Sequence, residues 1–431
     1  MKGSVKLSLI IAGLLIGLAS KYITGPSIQS FGTDFTPPEP VATSLRISGF
    51  FSDDPVFSSI DHSVKRFLQR NEMAGASVAI AKDGEMVFSK GYGWADKNNR
   101  IRIEPYHLFR VASVSKLITA AGIMKLSEQH KLSLDDNVFG PDGILNEAPF
   151  DFYVDKKVED IKVIHLLNHS GGWTNRWGDP MFIPHAVARG LKKDLPVDAE
   201  DIIQFMLGKR LHFKPGTRSS YSNLGYAILG KVIEKVSGEG YEKYIKTNIL
   251  YPLGIFDMRL GGSYLTDRAE LEVKYYEPAD TYLVKDHQSD SRVQRCYGGN
   301  DIETLGPAGG WLASSTDLLK FMLAIDGMNL PDDILNQASI DKMTTPQKAY
   351  LDPIGWRGIK QHSWYRTGTL AGTSALMVRR DDGVSYVILF NSSTWKGPML
   401  SSDIRRMMDR AIRQMPEWPD YNLLDLASSW D

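Results

Sequence analysis

The sequence predicts an α/β (α+β) chain: one antiparallel sheet flanked by helices, joined to a mainly helical lobe. Three observations carry this. Near the start, Ala76 to Ala81 and Glu85 to Ser89 flank Lys82-Asp83-Gly84. Near the end, Ser374 to Val378 and Ser385 to Asn391 flank Asp381-Asp382-Gly383. An Asp-Gly pair between two β-rich runs is a strong hairpin signal. The middle is instead helical, around residues 115–130, 199–209, 224–237 and 315–326, so strands from both ends enclose an inserted helical region.

The chain has 431 residues, ample for a large core, and no internal repeat interrupts it. Lys2 and Lys6 precede a charge-free run of 14 residues, Leu7 to Ser20, which at roughly 1.5 Å per residue is short for a bilayer crossing. A basic start, a short apolar stretch and the small residues Gly17, Ala19 and Ser20 fit a secretory signal, with an uncleaved anchor as the alternative. Export to the periplasm or cell envelope is therefore expected, with a membrane tether only through this N-terminus. Residues 21 to 55, with Pro37, Pro38 and Pro40, read as a spacer, and residues 419 to 431 as a tail. Between them, Ser58 to Asn71 places Ile60, Val64, Phe67 and Leu68 on one helical side, and Ser401 to Met415 reads as a closing amphipathic helix.

Composition excludes several classes. Lys plus Arg total 50 against 51 for Asp plus Glu, a balance unlike the basic excess of nucleic-acid binders. The single cysteine, Cys296, excludes an internal disulfide framework and a multi-cysteine metal site. His165 and His169 lie four apart, but no nearby carboxylate completes a ligand set, so no metal is assigned.

Three short motifs carry chemistry. In Ser113-Val114-Ser115-Lys116, apolar residues at Val114, Leu117, Ile118, Ala121 and Met124 mark a buried helical stripe. Ser113 then sits at the helix start with Lys116 nearly one turn on. A serine hydroxyl needs a base to become a nucleophile, and a buried lysine amine can serve. Ser339-Ile340-Asp341-Lys342 repeats the string without chemical neighbours. In Tyr221-Ser222-Asn223, the phenol can relay a proton and the amide can orient a substrate carbonyl or the lysine. In Arg366-Thr367-Gly368-Thr369, glycine permits close backbone approach and the Thr369 N–H can face an oxyanion. Read singly, each also fits a helix cap or an ordinary turn.

In this order, the three motifs resemble the serine β-lactamase and penicillin-binding protein group, specifically class C β-lactamases, D-alanyl-D-alanine carboxypeptidases and related esterases. Ile164 to Gly172, Lys214-Pro215-Gly216 and Pro307 to Ser314 extend the likeness, which runs over roughly residues 58 to 415. The resemblance implies a β-lactamase/transpeptidase-like fold and acyl transfer without metal or organic cofactor. It implies Ser113 as nucleophile, Lys116 as base, Tyr221 as proton relay, and Asn223, Arg366, Thr367, Gly368 and Thr369 as substrate-binding residues. Arg366 departs from the group's usual Lys or His. Being permanently charged, it suits a substrate carboxylate and cannot shuttle a proton. The substrates expected are small molecules or peptidoglycan peptides. A D,D-peptidase or penicillin-binding protein is the leading reading; a small-ester esterase and a silent envelope scaffold are the alternatives.

Overall fold

Both Asp-Gly signals become turns of the same sheet. In a computed structural model, residues 44 to 428 are described apart from Trp177, Gln347 and Gln361; the signal or anchor and residues 21 to 43 of the spacer lie outside them. Helix α1 (Ser58–Arg70) buries Ile60, Val64, Phe67 and Leu68, the residues its periodicity marks. Strands β1 (Gly75–Lys82) and β2 (Glu85–Asp96) join through Asp83-Gly84, both at positive φ, as a tight two-residue turn requires. A short β3 (Ile101–Arg102) follows. At the other end come β9 (Gly358–Lys360), β10 (Ser363–Leu370), β11 (Thr373–Arg380) and β12 (Val384–Phe390).

The resulting seven-stranded sheet has the order β3-β2-β1-β12-β11-β10-β9 and is antiparallel at every pairing. The two ends of the domain therefore meet at the sheet centre, where Ala76 faces Phe390 and Lys82 faces Val384. Side chains alternate between the faces. Val78 and Ile80 join an outer core with α1 and the closing helix α11 (Leu400–Arg413), while Ala79 and Ala81 join the larger inner core.

The inner core belongs to the helical middle. In chain order this holds β4 (Phe109–Arg110), α2 (Ser115–Glu128), α3 (Val163–Leu167), α4 (Pro184–Leu191), α5 (Ala199–Leu207), α6 (Asn223–Ser237) and α7 (Tyr241–Ile245). Then come β5 (Arg259–Leu260), a small hairpin of β6 (Val284–Lys285) and β7 (Arg292–Val293), α8 (Ile302–Gly309), β8 (Trp311–Ala313), α9 (Ser315–Leu323) and α10 (Gln337–Thr344). Strands β4, β8 and β5 form a second sheet leading into α2. Helix α2 is buried on every side from Ser115 to Met124, not along the single expected stripe, because sheet and helical lobe enclose it together.

The folded body also reaches further toward both ends than expected. Ser44 Oγ accepts from the N–H of Phe256 (2.9 Å) and Asp257 (3.1 Å), Ile47 is buried, and a turn at Gly49–Ser52 packs on β2. In the tail, α12 (Leu423–Ser428) buries Leu423. Leu45 packs beside Ile47, and Ser52 Oγ donates to Ser89 O and accepts from Ser89 N on β2, so a few contacts suffice to dock a short segment. Among the described residues, no helix is long and apolar enough to cross a membrane.

Ile404 of α11 lies in the outer core, on the sheet face turned away from α2. Ile404→Ala should lower unfolding stability by roughly 2–5 kcal/mol in chemical denaturation. Turnover per folded molecule should not change.

Candidate active site

Ser113 lies in a single 3-10 turn, Ala112–Val114, that feeds directly into α2. Ala112 holds a left-handed φ of 48°, a strained conformation that a surrounding structure must enforce. The enforcement is visible. Arg110, just upstream and buried, donates to Cys296 O (2.6 Å) and Gly262 O (2.9 Å) and stacks over Tyr275. Thr373 Oγ1 of β11 donates to Arg110 O at 2.8 Å. From the other side, β10 passes so close that a Cβ on Gly368 would sit 2.1 Å from Val111 O. Only glycine allows that approach. Beyond Tyr365, β9 no longer pairs with β10, so among the described residues the strand edge beside Ser113 has no β-partner.

Lys116, the second residue of α2 and three residues after Ser113, is fully buried. Its Nζ donates to Ser113 Oγ (3.3 Å), to Asn223 Oδ1 (2.6 Å) and to Ala308 O. These three acceptors match the three protons of an ammonium. Ala308 follows a kink in α8 at Gly306, where the backbone is non-helical, and its carbonyl is turned to accept from the amine. The decoy string behaves differently: Lys342, on α10, is exposed.

Tyr221 lies nearer than Lys116 to the Ser113 hydroxyl, its Oη donating to Ser113 Oγ at 2.7 Å. Its ring packs on His169 (4.6 Å between centroids), and Lys116 Nζ lies 5.1 Å from the same ring. Burial brings the Lys116 amine down to about 8, with Tyr221 opposing and Arg366 assisting. Burial pushes the Tyr221 phenol up, but Lys116 and Arg366 outweigh it and bring it down to about 8. The Lys116 amine and the Tyr221 phenol both contact Ser113 Oγ, so a proton can pass between them by way of the hydroxyl. His169 stays neutral, because burial and then the Arg366 and Lys116 charges hold it well below the usual imidazole range. It acts as a wall behind Tyr221, and among the described residues no cluster suits a metal ion.

Asn223 begins α6, and the cap of that helix is Ser222, whose side chain accepts from Gly225 N. The Asn223 amide is thereby free for the site. Its Nδ2 donates to Asp179 Oδ2 at 2.8 Å, which fixes the amide so that Oδ1 faces Lys116. Asp179 was not among the sequence candidates. It lies in a loop 44 residues before Asn223, and its one local sign is the Asp-Pro pair that caps a 3-10 turn at Pro180–Phe182.

Arg366 on β10 is 1% exposed. Its Nε donates to Ser113 O (2.7 Å) and its Nη2 to Tyr221 Oη (3.3 Å), leaving Nη1 as the only nitrogen without a protein partner. It thus holds the nucleophile turn and the phenol, and only Nη1 remains for the expected substrate carboxylate. The exposed guanidinium is Arg357, 5.3 Å above the Tyr221 ring, which no motif indicates. Ser113, Tyr221, Asn223, Arg357, Arg366, Thr367 and Thr369 line one cavity of about 300 Å³, closed by Phe182, Leu305 and Leu370. Gly368 serves it from behind, through the close contact with Val111.

A family model described as Beta-lactamase matches residues 60–406. The chain belongs to that family. Curated relatives include Protein flp of Staphylococcus aureus strain N315, 31% identical over 195 residues, covering 45% of this chain and 36% of that one. Penicillin-binding protein 4* of Bacillus subtilis is 27% identical over 278 residues, covering 63% of this chain and 55% of the relative. The chain thus spans between about a third and just over half of these relatives' lengths. Among solved structures, the octameric penicillin-binding protein homologue from Pyrococcus abyssi superposes with a TM-score of 0.58 at 26% identity, over 79% of this chain and 74% of that one. D-amino acid amidase from Ochrobactrum anthropi gives a TM-score of 0.64 at 23% identity, over 84% and 98%, a likeness of fold. The β-lactamase/transpeptidase-like architecture expected from the sequence is the one observed, and the chain is a relative of the penicillin-binding proteins.

Asp179 acts on Lys116 through Asn223 and through its own charge, which favours the ammonium. Asp179→Asn removes that charge and frees the Asn223 amide to rotate. The kcat/KM should fall roughly ten- to a hundredfold. The ascending limb of its pH profile, expected near 8 from the Lys116 amine, should move to lower pH because Lys116 loses a stabilising anion. A pH–rate profile with a chromogenic ester checks this; a fall in rate with an unmoved limb would mark Asp179 as merely structural.

Proposed function

We propose that this chain is an exported serine hydrolase working through an acyl-enzyme on Ser113, with D,D-peptide-like amides as its substrates. One observation carries the catalytic part: a serine hydroxyl 2.7 Å from a phenol and 3.3 Å from a lysine amine, in a cavity open to a ligand. Ser113 Oγ attacks the substrate carbonyl carbon while its proton passes to the Tyr221–Lys116 pair at Tyr221 Oη, the nearer atom. The geometry thus shares the expected role of Lys116 with the phenol. The carbonyl oxygen, now an oxyanion, is received by the N–H groups of Ser113 and Thr369, each such donor being worth roughly 2.7–4 kcal/mol in the transition state. Collapse breaks the bond to the leaving group, which takes the proton from Tyr221. Water then attacks the acyl ester and gives one proton to the pair; the bond between the acyl carbon and Ser113 Oγ breaks, and the pair passes that proton to Ser113 Oγ.

Substrate class rests on different support. The curated relatives include a penicillin-binding protein, and Arg357 with Nη1 of Arg366 can hold a leaving-group carboxylate beside Tyr221. The N-terminal basic and apolar segment supports export to the cell envelope, where peptidoglycan peptides are available. A small-ester esterase is the second reading, favoured by the apolar side chains of Phe182, Leu305, Leu370 and Pro398 in the same cavity.

Ser113→Ala should abolish turnover, and Tyr221→Phe should lower kcat by 10²–10⁴, about what a positioned acid–base group supplies. Mass spectrometry after mixing with a penicillin should show a penicilloyl adduct on Ser113, with its hydrolysis rate recorded alongside. Ester turnover without such an adduct supports the esterase reading. Absence of both points to the silent envelope scaffold.

A further inference from the structure

Phe182 and Leu370 line both the cavity over Ser113 and a second chamber of about 390 Å³. The order of residues along β10 gives this chamber a direction. Arg366 lies beside Tyr221, which delivers the leaving-group proton, and Thr369 lies at the oxyanion. Leu370 and Ala371, which line the chamber, come after both. The leaving group therefore points toward Arg366 and Arg357, and the acyl chain toward the chamber.

Its walls are basic. His185 of α4, Lys285 of β6, His287 and Arg295 line it, and no carboxylate does. Three acids partner these groups without lining the chamber: Asp290 lies 2.6 Å from Lys285 and 3.9 Å from His185, Asp286 lies 3.4 Å from His287 Nδ1, and Glu277 lies 3.6 Å from Arg295. Arg295 is held over the rings of Tyr282 and Trp395. His287 is 2% exposed, and its Nδ1 contacts Gly298 O at 2.8 Å. A carbonyl only accepts, so Nδ1 carries the proton, and the buried Nε2 has no protein partner.

We propose that this chamber is an acyl-chain subsite for a carboxylate, so that preferred substrates carry an anionic group on the acyl side of the scissile bond. This rests on the acyl-enzyme reading of Ser113 and extends it to a substrate class. The test compares two p-nitrophenyl esters of acylated glycine with the same leaving group, one N-succinyl and anionic, the other its neutral methyl ester. The ratio of their kcat/KM values should favour the anionic ester at least about tenfold at low salt, as charge-assisted hydrogen bonds do, and should shrink as salt rises. In Arg295→Ala, and in Lys285→Glu at an exposed position, the ratio should fall toward one or below. A native ratio of one or less, or a ratio unmoved in both variants, would overturn the subsite. If both esters acylate Ser113 equally, the subsite fails while the acyl-enzyme stands. If neither acylates Ser113, both fail together.

Discussion

A fully buried lysine is the constraint around which the rest is arranged. Taking an ammonium out of water costs several kcal/mol unless its protons are matched by acceptors. Lys116 has three: the Ala308 carbonyl, an amide oxygen and the Ser113 hydroxyl. Each requires structure elsewhere. Helix α8 must break at Gly306 ahead of the Ala308 carbonyl, Asn223 must not be used as a helix cap, and Asp179 must keep the amide from turning. The same burial that makes the lysine costly also brings its amine within reach of neutral pH.

The sheet and the helical region supply different halves of the chemistry. Ser113, Lys116, Tyr221 and Asn223 come from the helical middle, whereas Arg366, Gly368 and Thr369 come from a strand near the chain's end. Strand β10 is brought to the nucleophile by pairing with β11, which pairs with β12, which pairs with β1. Gly368 closes the remaining gap. The cleft is therefore only as well formed as the sheet, and the outer core of α1 and α11 supports it at a distance.

Much of this was legible in the sequence, for identifiable reasons. Asp83-Gly84 has one favourable geometry, so its hairpin could be read directly. Ser113 and Lys116 are separated by a fixed helical step, so their proximity followed from periodicity. Asn223 was ambiguous because it neighbours a helix start; the structure resolves it by giving the cap to Ser222. Asp179 and Arg357 were not legible, since each acts through a neighbour far away in sequence. Arg366 was read from its charge as facing the substrate, yet two of its three nitrogens are used inside the protein. Charge indicates what a side chain can bind, whereas burial decides what it does bind. The docked segment before residue 56 was missed because the prolines just before it read as a spacer.

The central claim is that Lys116 and Tyr221 hold a shared, readily moved proton beside Ser113. A titration of the tyrosinate ultraviolet band in the native protein and in Tyr221→Phe measures this directly. One tyrosine should ionise near pH 8, about two units below an ordinary phenol, and that step should vanish in the variant. Were the first ionisation to appear only at pH 10 or above, or to persist unchanged without the Tyr221 hydroxyl, the pair would not be coupled and the account of the site would be contradicted.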